Sequence, residues 1–278
     1  MELCKIQCIG NDFLFVSCLD KHLDNPDEIA VLVCDRHFGI GADGFVLISY
    51  SQHADFKIES FDSDGISEVC SSNILRCAAH YVNENNFCDK KIISFETYTG
   101  VKYVSCMEKD GEFLYTVNVG KALFTPQLIP VDSSDEFFID KIISLEDKEY
   151  IVSSVLVNSK INTVLYTENG EELNNIDMSK FAPYIEKHNI FPQGTNVEYV
   201  NIVSKSLIQV RCWESNKGEA IGCDYGAAAA FAVSLKKREV DTKIIAELYG
   251  GDLSINIDDE GFIFTSGCAK TVFSVEWQ

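Results

Sequence analysis

An alanine-rich apolar segment of the chain reads Gly226-Ala227-Ala228-Ala229-Ala230-Phe231-Ala232-Val233-Ser234-Leu235-Lys236-Lys237. Alanine has the highest helix propensity, and lysines suit the negative end of a helix dipole, so the segment predicts a helix. A second helix is predicted over residues 73–84, where apolar side chains recur at helical spacing behind a Ser71-Ser72-Asn73 capping signal. Each helix follows a predicted strand, a turn and a cysteine. This indicates two related halves that each deliver one helix N-terminus.

Most of the remaining chain consists of short β-branched or aromatic runs separated by turn residues. Such runs predict strands, and their close spacing favours antiparallel sheets over βαβ units. Shorter helices are predicted over residues 27–34 and 178–187, and an extended linker over residues 126–130. The predicted fold class is therefore α+β. The clearest predicted strands are residues 14–17, 44–48, 56–61, 102–106, 114–119, 151–157, 163–166 and 206–211.

Composition limits the function classes. The 278 residues are 46% apolar, and 43 Asp plus Glu against 23 Lys plus Arg give a net charge of -20. Such a charge repels phosphate groups, so we expect neither nucleic-acid nor membrane partners. The chain has no apolar run of about 18 residues and no signal-peptide layout at its start, which predicts a cytoplasmic protein.

The cysteines and histidines do not predict a metal site. None of the 11 cysteines forms a Cys-x-x-Cys pair, and the five histidines show no ligand spacing. Most of the cysteines are expected to be reduced, buried and structural. Cys223 is the exception, because it directly precedes a predicted helix, where cysteine pKa values can fall to about 3.5–7.5. The alternative for Cys223 is a buried cysteine beside a helix cap.

The starts of the two main helices suggest a chemistry. Cys70-Ser71-Ser72-Asn73 offers the same electrostatics to a thiol or hydroxyl as the segment at Cys223, and helix N-termini also capture carboxylates. Two such ends facing one cleft would hold a substrate carboxylate with a proton-transfer group on either side, as a racemase requires. The glycine-rich residues 39–44 precede a predicted strand, so we interpret them as a turn and not as a dinucleotide fingerprint.

Four segments, in the right order between residue 5 and about residue 230, resemble motifs of the diaminopimelate epimerases. They are residues 5–13 (family K-x-x-G-x-G-N-D-F), 36–44 (R-x-x-G-I-G-A-D-G), 191–197 (F-P-E-G-T-N-V) and 213–223 (W-E-R-G-x-G-E-T-x-A-C). The resemblance implies two pseudo-symmetric halves, each a mostly antiparallel β-barrel-like sheet around a central helix. The expected halves are residues 1–126, with 265–278 returning to them, and residues 127–264, with the active site in the cleft between.

The resemblance also implies a reaction, the inversion of an amino-acid α-carbon without a cofactor. One thiolate takes the α-proton from one face while a thiol delivers another proton to the opposite face. Cys223 matches the second catalytic cysteine of the family, and a homodimer is the family expectation. The implied substrate-binding residues are Asn11, Asp62, Ser72, Asn73, Asn158, Asn196, Glu214, Ser215, Asp224 and Tyr225. Asn158 is matched to the asparagine of the family's G-N-P-H, a motif that Ser159-Lys160 interrupt.

The first catalytic cysteine of the family is absent at the aligned position. Residues 62–77 align without gaps to N-A-D-G-S-E-x-E-M-C-G-N-G-x-R-C, and this places Ser71 where the family has cysteine. Moving Cys70 into that place needs a gap on each side and loses the match at Asn73. A serine hydroxyl is too weak an acid to form an anionic base near neutral pH. Three explanations stay open: an engineered substitution, a one-cysteine dehydratase of the 3-hydroxyproline type, or a catalytically silent amino-acid-binding homologue.

Further departures concern specificity. Asp62 replaces an asparagine and Ser215 replaces an arginine at positions that, with Glu214, hold the distal end of diaminopimelate in the family. The loss of an arginine fork weakens carboxylate binding, and an added carboxylate favours a cation. We therefore expect a racemase of basic amino acids, histidine first, with diaminopimelate epimerase as the alternative. The alternative for Asp62 is a turn residue at the end of a strand.

Overall fold

The computed structural model describes residues 1–109, 111–145, 148–167 and 173–278. The chain divides into two compact units, which are Met1–Val117 with Ser266–Gln278 (unit 1) and Asn118–Thr265 (unit 2). In the described residues the helices are α1 (Pro26–Cys34), α2 (Ser72–Glu84), α3 (Ala182–Glu186) and α4 (Asp224–Lys236). The strands are β1 (Glu2–Cys8), β2 (Asn11–Ser17), β3 (Gly44–Ser49), β4 (Phe56–Asp62), β5 (Ile92–Thr97), β6 (Gly100–Lys109), β7 (Glu112–Lys121), β8 (Lys141–Leu145), β9 (Lys148–Val157), β10 (Lys160–Tyr166), β11 (Asn196–Ser204), β12 (Leu207–Glu214), β13 (Gly218–Ala220), β14 (Lys243–Leu248), β15 (Gly251–Ile257), β16 (Phe262–Gly267) and β17 (Lys270–Glu276).

The two units repeat one order of strand pairing. In unit 1, β1–β2, β3–β4 and β5–β6 are antiparallel, while β2–β3 and β4–β5 are parallel. In unit 2, β9–β10, β11–β12 and β14–β15 are antiparallel, while β10–β11 and β12–β14 are parallel. In both series the main helix, α2 or α4, precedes the last two strands in sequence. This repeat confirms the predicted α+β fold of two pseudo-symmetric, mostly antiparallel halves.

Each main helix is central to its unit. The helix α2 packs on β1, β2, β6 and β17, and α4 packs on β9, β10, β11, β12, β14 and β15. Ala227, Ala228, Ala229 and Ala230 are all fully buried. A helix that is apolar on all sides is stable only in such an interior, and alanine lets the surrounding strands approach its backbone closely.

Two local predictions were wrong. Residues 178–187 do not form one helix, because a 3-10 turn at Met178–Lys180 is followed by the separate helix α3. Pro183 lies in the first turn of α3, where proline is tolerated, whereas a longer helix would place it in the interior. Residues 126–130 form a hydrogen-bonded turn and not an extended linker, and Ile129 is buried in the core of unit 2.

The tight packing of α4 yields a test of the fold. We expect Ala229→Leu to lower the free energy of unfolding by about 1–3 kcal/mol, because the larger side chain has no room among the strands. Ser105→Leu, on the exposed side of β6, is the matched control and should change that free energy by less than about 0.5 kcal/mol. Urea denaturation followed by circular dichroism measures both. Equal effects would show that α4 is not tightly enclosed.

Candidate active site

Cys223 lies at the N-cap of α4. Its backbone is extended, and its Sγ accepts a hydrogen bond from the backbone N–H of Gly226 at 3.4 Å. The side chain of Cys223 is only 5% exposed. The thiol therefore occupies the position at which a helix presents its unpaired N–H groups.

The protonation of Cys223 differs from the expectation for a helix N-terminus. A hydrogen bond from the Cys212 thiol favours the Cys223 thiolate, but burial and the carboxyl groups of Glu214 and Glu198 outweigh it. The pKa of Cys223 is therefore raised and not lowered. At neutral pH the resting group is a thiol, which can give a proton.

Ser71 occupies the corresponding position on α2. It is the N-cap residue, its backbone is extended, and its Oγ accepts from the N–H of Ile74 at 3.2 Å. Like Cys223, it thus accepts from the N–H three residues further on. Cys70 lies one residue outside the helix with its Sγ 3.8 Å from the Ser71 carbonyl oxygen, and burial raises its pKa strongly. The geometry matches Ser71, and not Cys70, with Cys223.

Two predicted binding residues of unit 1 are held beside the start of α2. Asn73 Nδ2 donates to Asn11 Oδ1 at 2.7 Å, and Arg76, which is fully buried, donates to Asn73 Oδ1 at 3.0 Å. Asn11 Nδ2 in turn donates to Asp43 Oδ2 at 3.1 Å. These bonds fix the orientation of both amides. The adjacent Ser72 is buried in the first turn of α2.

Charged residues of the two N-terminal motifs support Asn11. Lys5 forms an ion pair with Asp12 at 2.8 Å, and Arg36 pairs with both Asp12 and Asp43. Burial opposes the charge on Asp12, but the hydrogen bonds from Arg36 and Lys5 outweigh it and lower the pKa of this carboxyl group. The motif residues thus form one network that ends at Asn11.

Glu186 holds the predicted binding turn of unit 2, although the sequence analysis did not single it out. Its Oε2 accepts from Trp213 Nε1 at 2.8 Å. Its Oε1 accepts from Ser215 Oγ at 3.0 Å and from the N–H of Asn216 at 2.9 Å. Burial raises the pKa of Glu186, but these hydrogen bonds outweigh it, so the net pKa is lowered.

Asn196 is buried in the same turn region. Its Oδ1 accepts from the backbone N–H of Ser215 at 3.0 Å, and its Nδ2 donates to Asn162 at 3.2 Å. Both hydrogen-bond donors of Ser215, the N–H and the hydroxyl, therefore have partners within unit 2. Glu214, the residue before it, is half-buried.

The other predicted binding residues have varied surroundings. Asp62 Oδ1 accepts from the N–H groups of Asp64 at 3.0 Å and Ile66 at 2.8 Å, so the turn role left open for Asp62 is present. Asn158 is exposed, in the left-handed region (φ 47) that a β-hairpin turn needs. Buried Asp224 accepts from Thr265 at 3.1 Å, and Tyr225 is half-buried behind it.

Glu198 and Cys212 were also not singled out from the sequence. They lie opposite each other on β11 and β12, and both are buried close to Cys223. Only the pairing register of these strands reveals them, because no sequence motif marks either position. Within the described residues, no group of three or more His, Cys, Asp or Glu side chains could hold a metal ion.

The hydrogen bonds of Glu186 predict a pH-dependent contribution to stability. At pH 7, Glu186→Gln should lower the free energy of unfolding by about 1–3 kcal/mol, because an amide cannot accept all three bonds. The pKa of Glu186 is lowered in the folded state, so this stability exists above the unfolded-state value of about 4.3 and is lost as pH falls through the folded-state value.

Urea denaturation at pH 7 and at pH 3 measures this difference. Glu28→Gln, at an exposed glutamate of α1, is the control and should lower the free energy of unfolding by less than about 0.5 kcal/mol at either pH. A loss in the free energy of unfolding for Glu186→Gln that is the same at pH 7 and at pH 3 would contradict the assigned role of the carboxylate.

Comparisons with known proteins identify the family. The family model described as "Diaminopimelate epimerase" matches residues 3–125 and 161–272. A diaminopimelate epimerase of Methanococcus maripaludis (strain C6 / ATCC BAA-1332) is 36% identical over 278 residues and covers 99% of both chains. Another, from Acetivibrio thermocellus, is 34% identical and covers 99% of this chain and 98% of its own.

Solved structures are similar in fold at low sequence identity. A phenazine biosynthesis protein of the PhzF family from Bacillus anthracis has a TM-score of 0.73 at 13% identity and covers 100% of this chain and 99% of its own. A hydroxyproline epimerase from Agrobacterium vitis has a TM-score of 0.66 at 13% identity, with 99% and 91% covered. None of the described helices is long and apolar enough to cross a membrane. The resemblance of the motifs is confirmed: the chain belongs to the diaminopimelate epimerase family, and it is an isomerase of the racemase and epimerase class.

Proposed function

We propose that this protein epimerises diaminopimelate at an α-carbon without a cofactor, with Cys223 as its strong proton-transfer group. The observation that carries the proposal is the shared position of Cys223 and Ser71, each at the N-cap of the central helix of its unit. The substrate is taken from the relatives named diaminopimelate epimerase, which match the chain over 99% of its length.

The chemistry follows from the helix ends. A helix N-terminus offers backbone N–H groups and a positive dipole end to a substrate carboxylate, where charge builds up as the α-proton leaves. The Cys223 thiol gives a proton to the α-carbon, and its thiolate takes the proton in the opposite direction. The Ser71 hydroxyl is a far weaker acid than a thiol, so we expect its proton transfer to limit the rate.

A basic amino acid, histidine first, is the second candidate substrate. It is supported by Ser215, which stands where the family has an arginine, by the adjacent Glu214, and by Glu186 of α3, whose carboxylate binds the Ser215 hydroxyl. A site with carboxylates and no arginine favours a distal cation over a distal carboxylate. Asp62 adds less to this argument than the sequence suggested, because its carboxylate caps a turn.

The location and the assembly extend the proposal. We expect a cytoplasmic enzyme, and the family resemblance implies a homodimer. Size-exclusion chromatography with light scattering measures the oligomeric state.

The decisive test restores the missing thiol. We expect Ser71→Cys to raise the rate of α-proton exchange by about 100-fold or more, since a well-placed acid or base contributes factors of this size. Proton NMR in deuterium oxide measures the exchange of diaminopimelate, L-histidine and L-lysine. Ser63→Cys adds a thiol at an exposed position of the same unit and should leave the rate unchanged. Cys223→Ala should abolish the inversion of the α-carbon in both backgrounds, because inversion needs a proton-transfer group on each face.

Each outcome selects one function. Exchange of diaminopimelate supports the proposal, and exchange of histidine or lysine alone supports the second candidate. If no substrate exchanges even with Ser71→Cys, the epimerase proposal is wrong. A keto or imine product from 3-hydroxyproline that is lost in Ser71→Ala would indicate the dehydratase. Thermal stabilisation by an amino acid without any turnover would indicate a binding protein.

A further inference from the structure

Glu198 is a buried carboxyl group that the proposed reaction does not use. It lies on β11 and is fully buried, and neither of its side-chain oxygens has a hydrogen-bond partner in the described part of the chain. Leaving a carboxyl group in such a place costs free energy, since buried polar groups are normally paired. A structural role through hydrogen bonding therefore does not account for Glu198.

The carboxyl group points at the first turn of α4. A Cβ atom built on Gly226 would lie 2.9 Å from Glu198 Oε1, 2.8 Å from Cys212 Sγ and 3.3 Å from Cys223 Sγ. The three side chains thus converge on the space that glycine leaves open. Because Glu198 and Cys212 are also direct partners across β11 and β12, the strand register fixes this arrangement.

No cation faces Glu198 among the described side chains of the elements packed against β11. From β12 Cys212 and Glu214 lie near Glu198, and from the start of α4 Cys223 does. The cations of these elements lie elsewhere: Arg211 of β12 pairs with Glu219, Lys236 of α4 lies over the rings of Phe124 and Phe137, and Lys160 of β10 is exposed. Glu186 of α3 binds Trp213, and Tyr166 of β10 contacts Ser234.

An ionised Glu198 would therefore lack compensation. Burial, followed by the carboxylate of Glu214, raises the pKa of Glu198 well above its usual range. Burial and neighbouring carboxyl groups also raise the pKa of Cys223, against the hydrogen bond from Cys212. Two acids in one enclosed volume without a cation ionise in sequence and not together.

We propose that Glu198 is a positioning residue that keeps Cys223 in its thiol form, because the two acidic side chains face the same enclosed space beside Gly226. Cys223 then enters the reaction as a proton donor. This inference rests on the proposed role of Cys223 in proton transfer. It assigns no contact between Glu198 and the substrate.

The test replaces the carboxyl group by an amide of the same shape. We expect Glu198→Gln to lower the pH midpoint of Cys223 ionisation by about one unit or more, because the competing acid is gone. Thiolate absorbance at 240 nm measures the midpoint, as the difference between each protein and its Cys223→Ala counterpart. The pH profile of α-proton exchange in the Ser71→Cys background should move in the same direction.

Two variants separate charge from shape. Glu198→Asp keeps the carboxyl group but shortens the side chain, and we expect its midpoint to stay high. Glu247→Gln removes another carboxyl group of unit 2, one that accepts from Gln209, and should not move the Cys223 midpoint. Thermal unfolding of every variant checks that it is folded.

The two proposals can fail separately. A midpoint that does not move in Glu198→Gln, or that moves only in Glu198→Asp, overturns the role of Glu198 whether or not the protein is an epimerase. A shifted midpoint without any exchange supports the role of Glu198 and counts against the proposed function.

Discussion

The burial of α4 on all sides is the constraint on which the rest of unit 2 depends. A helix in the interior cannot leave the N–H groups of its first turn to water, so a side chain must accept from them. Cys223 does this with a sulfur atom. The same requirement places Ser71 at the start of α2. The packing of each central helix thus puts a proton-bearing side chain at its N-terminus.

The two units stabilise these helix starts by different means. Unit 1 uses charge, with Lys5 and Arg36 holding Asp12 and Asp43, which in turn fix the amide of Asn11. In unit 2 burial and the carboxyl groups of Glu214 and Glu198 act on Cys223, and together they favour a protonated thiol. One topology thus supports two different electrostatic environments.

The sequence predicted the features that depend on local pattern. The two central helices and their capping residues follow from periodicity and propensity, while the motif resemblance implied the doubled fold and named the family correctly. The direction of the Cys223 pKa was wrong, because burial and the carboxyl groups of Glu214 and Glu198 outweigh the groups that favour the thiolate. Glu198 comes close only through the register of β11 and β12. The helix over residues 178–187 was wrong because the local pattern outweighed Pro183 in that prediction.

The absence of a side chain at Gly226 has a consequence for mutational tolerance. Any other amino acid at position 226 would add at least a Cβ atom. At this position that atom would lie under 3 Å from both Cys212 Sγ and Glu198 Oε1. A substitution at Gly226 would therefore displace the two groups that surround the Cys223 thiol, so a change of one atom would act on geometry and protonation together. The arrangement of this site thus depends on a residue that carries no functional group of its own.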